Sequence, residues 1–167
     1  MKVKETIAFI GKADETSTGL IERLAERQYP VILVDSGNSG FGEVSLGILD
    51  HDPTADVAVV ECAREGCWEA DVIILTEGFI PDPEMLERVR TVATQKTVIS
   101  LSGDETDAGG PSGKTKKLKR LLPYSSVTQI VLDGNSLKAA ATDAGGAGYI
   151  ISEIFFNLGY DNTYHNF

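Results

Sequence analysis

The chain is poor in the residues that carry metal and redox chemistry, with two cysteines, two histidines and one tryptophan among 167 residues. Cys62 and Cys67 stand five apart without Cys or His companions, which excludes a CxxC redox motif and a zinc knuckle and leaves two ordinary thiols. No apolar run approaches the roughly 18 residues that cross a bilayer. The start, MKVKETIAFIG, has no signal-type apolar region, so the expected address is the cytoplasm. Positive charge is also short: 15 Lys plus Arg against 25 Asp plus Glu leave a net charge of -10, a surface that repels nucleic acid and anionic membranes alike. Hydrophobic residues at 42% and charged residues at 24% are ordinary for a globular protein and exclude disorder as the main state. At about 150 residues per domain, the length predicts a single domain over 1–167.

What is present is alternation. Apolar runs of four to six residues alternate with amphipathic stretches of ten or more, as when buried parallel strands are joined by crossover helices. The expected class is α/β, a doubly wound, mostly parallel sheet in three layers. Strands are expected at Thr6 to Ile10, Val31 to Asp35, Val57 to Val60, Val72 to Leu75, Thr97 to Leu101 and Val127 to Leu132, with a short one at Leu137 to Ala141. The β-branched runs at Val57 and Val72 read as interior strands. The first helix should turn Leu20, Ile21, Leu24 and Ala25 inward. Asp82 and Pro83 mark the start of another, with Met85, Leu86, Val89 and Val92 on one face. A short helix should carry Cys62 and Trp68, a later one should bury Leu118, Leu121 and Leu122, and a last one ends at Gly159. The segment from Ser36 to Pro53, rich in Gly, Asp and Ser, is expected to be a long connection.

A strand, a loop at Gly11, an amphipathic helix and a strand ending in Asp35 form the opening unit of a Rossmann domain, where a helix N-terminus faces a dinucleotide pyrophosphate. The loop from Gly11 to Gly19 does not follow GxGxxG, and it carries Asp14 and Glu15, which oppose phosphate. Lys12 and the hydroxyls of Thr16, Ser17 and Thr18 offset them in part. Asp35 lies about 24 residues after Gly11, placed to accept from a ribose 2'-hydroxyl and to repel a 2'-phosphate, which favours NAD over NADP. The competing readings are that Ser17 or Thr18 caps the helix and that Asp35 merely ends its strand. The expected dinucleotide contacts are Gly11, Lys12, Ser17, Thr18, Asp35, Ser36, Thr76 and Gly78.

Two further loops could meet a nucleotide. Ala108 to Thr115 matches a relaxed P-loop string with Lys114 in the lysine position, yet it stands several residues beyond its strand, where a P-loop would spring directly from it. The basic helix from Lys114 to Arg120 then reads as an exposed face or a subunit contact. Gly145-Gly146-Ala147-Gly148 leaves free amides at a helix start, but small residues there more often serve close packing, within the fold or across a homodimer. His51 and His165 sit in no nucleophile or metal spacing and read as surface residues. Glu77, just past a strand, is the best-placed ionisable group for acid or base work.

IAFIG with the helix to ILVD (Ile7 to Asp35), EADVIIL (Glu69 to Leu75), KTVISLSG (Lys96 to Gly103), LKRLLPYSSVTQIVLDG (Leu118 to Gly134) and the tail from Asp143 to Asp161 together resemble the NADP-binding domain of deazaflavin-dependent NADP reductases and related dinucleotide-binding proteins, a branch of the 6-phosphogluconate dehydrogenase-like Rossmann proteins. The resemblance spans most of the chain. It implies a hydride-transfer scaffold that orients a nicotinamide against a redox partner, without an obligatory acid or base. It also implies a last strand after the closing helix. This chain departs from the pattern in lacking the glycine fingerprint between Gly11 and Ser17. It also has Asp35-Ser36-Gly37 where the family reads NADP with a Ser/Thr-Arg pair. The alternative kept beside this is a Rossmann domain that has lost its cofactor and serves as a binding or oligomerisation module.

Overall fold

A computed structural model describes residues 4–35, 37–76, 83–94, 96–102, 113–133, 136–141 and 153–164. The elements follow one another as β1 (Ile7–Ile10), α1 (Glu15–Glu26), β2 (Val31–Val34), α2 (Phe41–His51), β3 (Val57–Val60), α3 (Ala63–Glu69), β4 (Val72–Leu75), α4 (Pro83–Val92), β5 (Thr97–Ser102), α5 (Gly113–Leu121), β6 (Ser126–Asp133), β7 (Ser136–Ala141) and β8 (Asp161–Tyr164). A helical turn over 153–157 precedes β8.

The sheet runs β3-β2-β1-β4-β5-β6-β7-β8. All pairings from β3 to β6 are parallel, β6 to β7 is antiparallel and β7 to β8 parallel. The first six strands therefore stand in the order 3-2-1-4-5-6, the doubly wound Rossmann arrangement, as expected. Two hydrophobic clusters cover the sheet. One joins α1, α2 and the 154–160 segment through Leu20, Leu24, Phe41, Ile48 and Phe155, and the other joins α3, α4 and α5 through Cys67, Val89, Leu118 and Leu122. Winding outward to β3 puts α1 and α2 on one face. The return to β4 puts α3 on the other, as right-handed crossovers require.

Several elements depart from expectation for identifiable reasons. The segment from Ser36 to Pro53 is not a plain connection but holds α2, which starts after Gly40 at φ 79° and buries Phe41, Ser45 and Ile48 at helical spacing. Two glycines inside it, Gly42 and Gly47, weaken the helical signal, and packing decides the outcome. The β3 strand is an edge, not an interior strand: Ala58 and Val59 are exposed, because topology rather than residue type places it outermost. Cys62 precedes α3 as its N-cap, and Trp68 is exposed. In α5 only Leu118 and Leu122, four apart, reach the core, while Leu121 is exposed. Gly159, at φ 88°, donates to the Phe156 carbonyl and turns the chain into β8, which no apolar pattern in DNTY announces. Asp82, Ile150, Ile151 and the Gly145 to Gly148 stretch lie outside the described residues.

Candidate functional site

Strand register builds the site. Ile10 is level with Val34 on one side and with Leu75 on the other, and Val34 is level with Val60. The next residue of each strand, Glu61, Asp35, Gly11 and Thr76, therefore falls in one row along the carboxyl edge of the sheet. That is where an open α/β sheet holds its ligands, and the winding reverses between β1 and β4.

At the centre of the row, Gly11 is buried at φ 131°, a conformation that favours glycine. The loop that follows is closely pinned. The Lys12 amide donates to Thr76 Oγ1 at 2.8 Å and the Ala13 amide to the Ser39 carbonyl at 2.7 Å. Asp14 then caps α1: its carboxylate accepts from the Ser17 amide at 2.7 Å while its own amide donates to Ser17 Oγ at 3.0 Å, a complete capping box. The Thr18 amide donates to the Asp14 carbonyl at 2.9 Å. The cap is thus Asp14, not Ser17 or Thr18; Ser17 is the third helical residue, buried, with its hydroxyl in the box. The sequence hides this because Asp14 lies among four candidates (Asp14, Thr16, Ser17 and Thr18), each able to cap.

On the neighbouring strand, Asp35 Oδ1 accepts from Ser39 Oγ at 2.7 Å and from the Gly37 amide at 3.1 Å. Those bonds, the hydroxyl first, hold the carboxyl below its ordinary value of 3.8, so it stays ionised at neutral pH. Ser39 in turn accepts from the Phe41 amide, which ties the Asp35 turn to the start of α2.

Beside Asp35 opens a cavity of about 690 Å³, lined by Asp35, Gly37, Glu61, Ala63 and, from α4, Glu84, Met85 and Arg88. Arg88 is paired with Glu84 at 2.8 Å, so the lining carries a net negative charge. A smaller cavity of about 260 Å³ lies between the last turns of α1 and α2, lined in part by Glu22, Ile48 and His51. These turns lie at the opposite edge of the sheet, away from the row of strand ends. Among the described residues there is no group of three His, Cys, Asp or Glu that could hold a metal ion. None of their helices is long and apolar enough to cross a membrane.

The expected contacts Gly11, Lys12, Ser17, Thr18, Asp35 and Thr76 are therefore neighbours around one edge, with Asp35 on the cavity and Ser17 engaged in the cap. Ser36, Gly78, Glu77 and His165 lie outside the described residues, as does most of the P-loop-like string, from Ala108 to Ser112. On the basic helix, Lys117 and Arg120 are exposed, and Lys119 donates to the Ser125 carbonyl at 2.7 Å, closing the turn into β6. Glu61, Ser39 and the α4 pair were not anticipated. Glu61 could have been found by the rule that selected Asp35, since it too directly follows a strand. Arg88 carries no such signal.

No family model and no curated protein matches the chain. Solved structures do. A protein described as an F420-dependent NADP reductase from Arthrobacter sp. FB24 superposes with a TM-score of 0.70 at 12% identity, over 97% of this chain and 84% of that one. Pyrroline carboxylate reductase of Plasmodium falciparum with NADP bound gives 0.65 at 13% identity, over 99% and 58%. An imine reductase variant from Myxococcus stipitatus in complex with NAD+ gives 0.59 at 12% identity, over 99% and 55%. The chain thus spans less than two thirds of the latter two proteins. The fold is that of the NAD(P)-binding Rossmann proteins.

Proposed function

We propose that the carboxyl edge binds a nicotinamide dinucleotide, NAD in preference to NADP, and that the chain is related to oxidoreductases acting on a substrate of unassigned class. The observation that carries this reading is the row Glu61, Asp35, Gly11 and Thr76 at the switch point of a Rossmann sheet, with a cavity of ligand size beside its Glu61 and Asp35 end. The bound dinucleotides of the structural neighbours support it. The adenosine half fits the cavity: an ionised Asp35 can accept from a ribose hydroxyl, and Asp35, Glu61 and Glu84 disfavour an added 2'-phosphate. The first loop does not fit a pyrophosphate as it is folded, since Asp14 caps the helix where that group would lie. Of the expected contacts, Gly11, Lys12, Asp35, Ser36, Thr76 and Gly78 are assigned to the ligand, and two are left out: Ser17, buried with its amide and hydroxyl in the cap, and Thr18, whose amide donates to the Asp14 carbonyl. The closed loop also supports a second reading, a cofactor-free Rossmann module that works by binding or association.

Calorimetric titration of NAD, NADH, NADP and NADPH separates the two. Heat with NAD or NADH, weakened by Asp35→Ala more than any NADPH binding is, is the expected result. No heat with any of the four at millimolar concentration leaves the cofactor-free module standing, and equal effects of the substitution on NADH and NADPH remove Asp35 from the ribose.

A further inference from the structure

On one side the sheet ends at β3, and among the described residues no strand pairs with its outer side. The Asp56 and Val60 carbonyls accept from the Val31 and Asp35 amides, so Asp56, Ala58 and Val60 turn their backbone groups toward β2 while Val57 and Val59 present theirs outward. Exposed edges are usually blunted by charge, proline or a bulge. VAVV has no charge and no proline, and its register with β2 runs without a bulge. The two faces beside this edge differ. Ala58 and Val60 face α3, where Gly66 meets Val60, and Val57 and Val59 face α2. On the α2 side the edge is apolar: Val59 is 39% exposed, and Leu46, 71% exposed, lies with the half-buried Leu49 on the flank of α2 turned away from its groove with α1. On the α3 side it is acidic. Glu69 follows Gly66 by three residues and Glu65 by four precedes Glu69, so both exposed carboxylates stand on the flank of α3 toward β3, and Asp56 is exposed at the start of the strand.

We infer that β3 is a docking edge for an extended segment of a partner protein in which aliphatic residues alternate with Lys or Arg. An added strand exchanges backbone hydrogen bonds with Val57 and Val59. Because its side chains alternate between faces, the aliphatic set covers Val59 and Leu46 while the basic set meets Glu65, Glu69 and Asp56. Charge decides between this occupant and a second copy of the chain. A contact of β3 with β3 would set the two α3 helices side by side, with Glu65 and Glu69 of both copies facing each other, and like charges oppose it. A basic strand turns the same carboxylates into partners. This edge shares no residue with the proposed nucleotide site, so the two readings stand or fall separately.

The test is a titration of the ¹⁵N-labelled protein with the blocked heptapeptide Lys-Val-Lys-Val-Lys-Val-Lys, with Glu-Val-Glu-Val-Glu-Val-Glu as the charge-reversed control. The Lys peptide should shift the Val57, Val59 and Leu46 amides most and reach half saturation below about 1 mM, and the Glu peptide should bind at least about tenfold more weakly. Two variants separate the backbone from the charge. Val59→Pro removes an outward amide and no bond to β2, a replacement that an edge strand tolerates, and E65K/E69K reverses the acidic flank. Each should weaken the Lys peptide by about tenfold. Should the proline variant melt early, the charge variant decides. No binding of the Lys peptide, shifts centred away from β3, equal affinity for the two peptides, or wild-type affinity in the folded variants overturns the inference. So does sedimentation of the free protein as a dimer that E65K/E69K strengthens or Val59→Pro dissolves, since a second copy would then hold the edge.

Discussion

Asp35 shows how one side chain is set by its neighbours. The Ser39 hydroxyl and the Gly37 amide stabilise its charged form, so its folded pKa lies below 3.8. A depressed carboxyl contributes stability that is present above its unfolded value and lost as pH falls through the folded one. The difference in melting temperature between wild type and Asp35→Ala should therefore be constant above about pH 5 and shrink as the pH drops below 4. A difference that grows on acidification contradicts the hydrogen bonds. The cysteines make a second contrast. Cys62 is exposed at the end of the loop after β3, whereas burial pushes the Cys67 thiol up to about 12. Iodoacetamide at pH 8 should label Cys62 alone in the native protein and both after unfolding, read by mass spectrometry; early labelling of Cys67 would show that α3 opens. Asp35 was legible because a strand end and a spacing mark it. The Asp14 cap was not, since choosing among adjacent polar residues depends on which one's backbone turns extended, at φ -130° and ψ 179°.

Packing between α3 and the sheet depends on one missing side chain. A Cβ on Gly66 would lie 2.9 Å from Val34 Cγ2, 3.1 Å from Val60 Cγ2 and 3.3 Å from Ile32 Cγ2, all on β-branched residues with little rotamer freedom. Gly66→Ala would gain about 1 kcal/mol of helix propensity and lose roughly 1–3 kcal/mol to overpacking. The clash should win, lowering the melting temperature by a few degrees. A variant as stable as wild type would mean that α3 can lift from β2 and β3. At its far end, α3 is closed by Lys96, whose ammonium donates to the Cys67 and Trp68 carbonyls and holds the helix against the start of β5. Elements with strong periodicity, α1, α4, β1, β2 and β4, could be read directly from the residues. The α2 helix could not, because Gly42 and Gly47 interrupt its propensity and Ser45 takes a core position. An apolar run also cannot announce that it is an edge: VAVV in β3 and VIIL in β4 read alike, and only the winding order separates them.

Part of the acidic charge of the chain stands at the edge proposed to bind the ligand. The net charge of -10 disfavours polyanions everywhere. Asp14, Asp35, Glu61 and Glu84 carry that bias to the edge at which the fold would otherwise welcome phosphate. The Rossmann order and the Asp35 position followed from sequence pattern, whereas the closed first loop and the cavity wall supplied by α4 needed the packed structure. The location of binding can be read residue by residue. In a ¹⁵N-labelled sample titrated with NADH, amide shifts should concentrate at Gly37, Glu61, Ala63 and Met85 around the 690 Å³ cavity and extend to Gly11. Shifts confined to the groove of Glu22, Ile48 and His51, or none at saturating ligand, would contradict it.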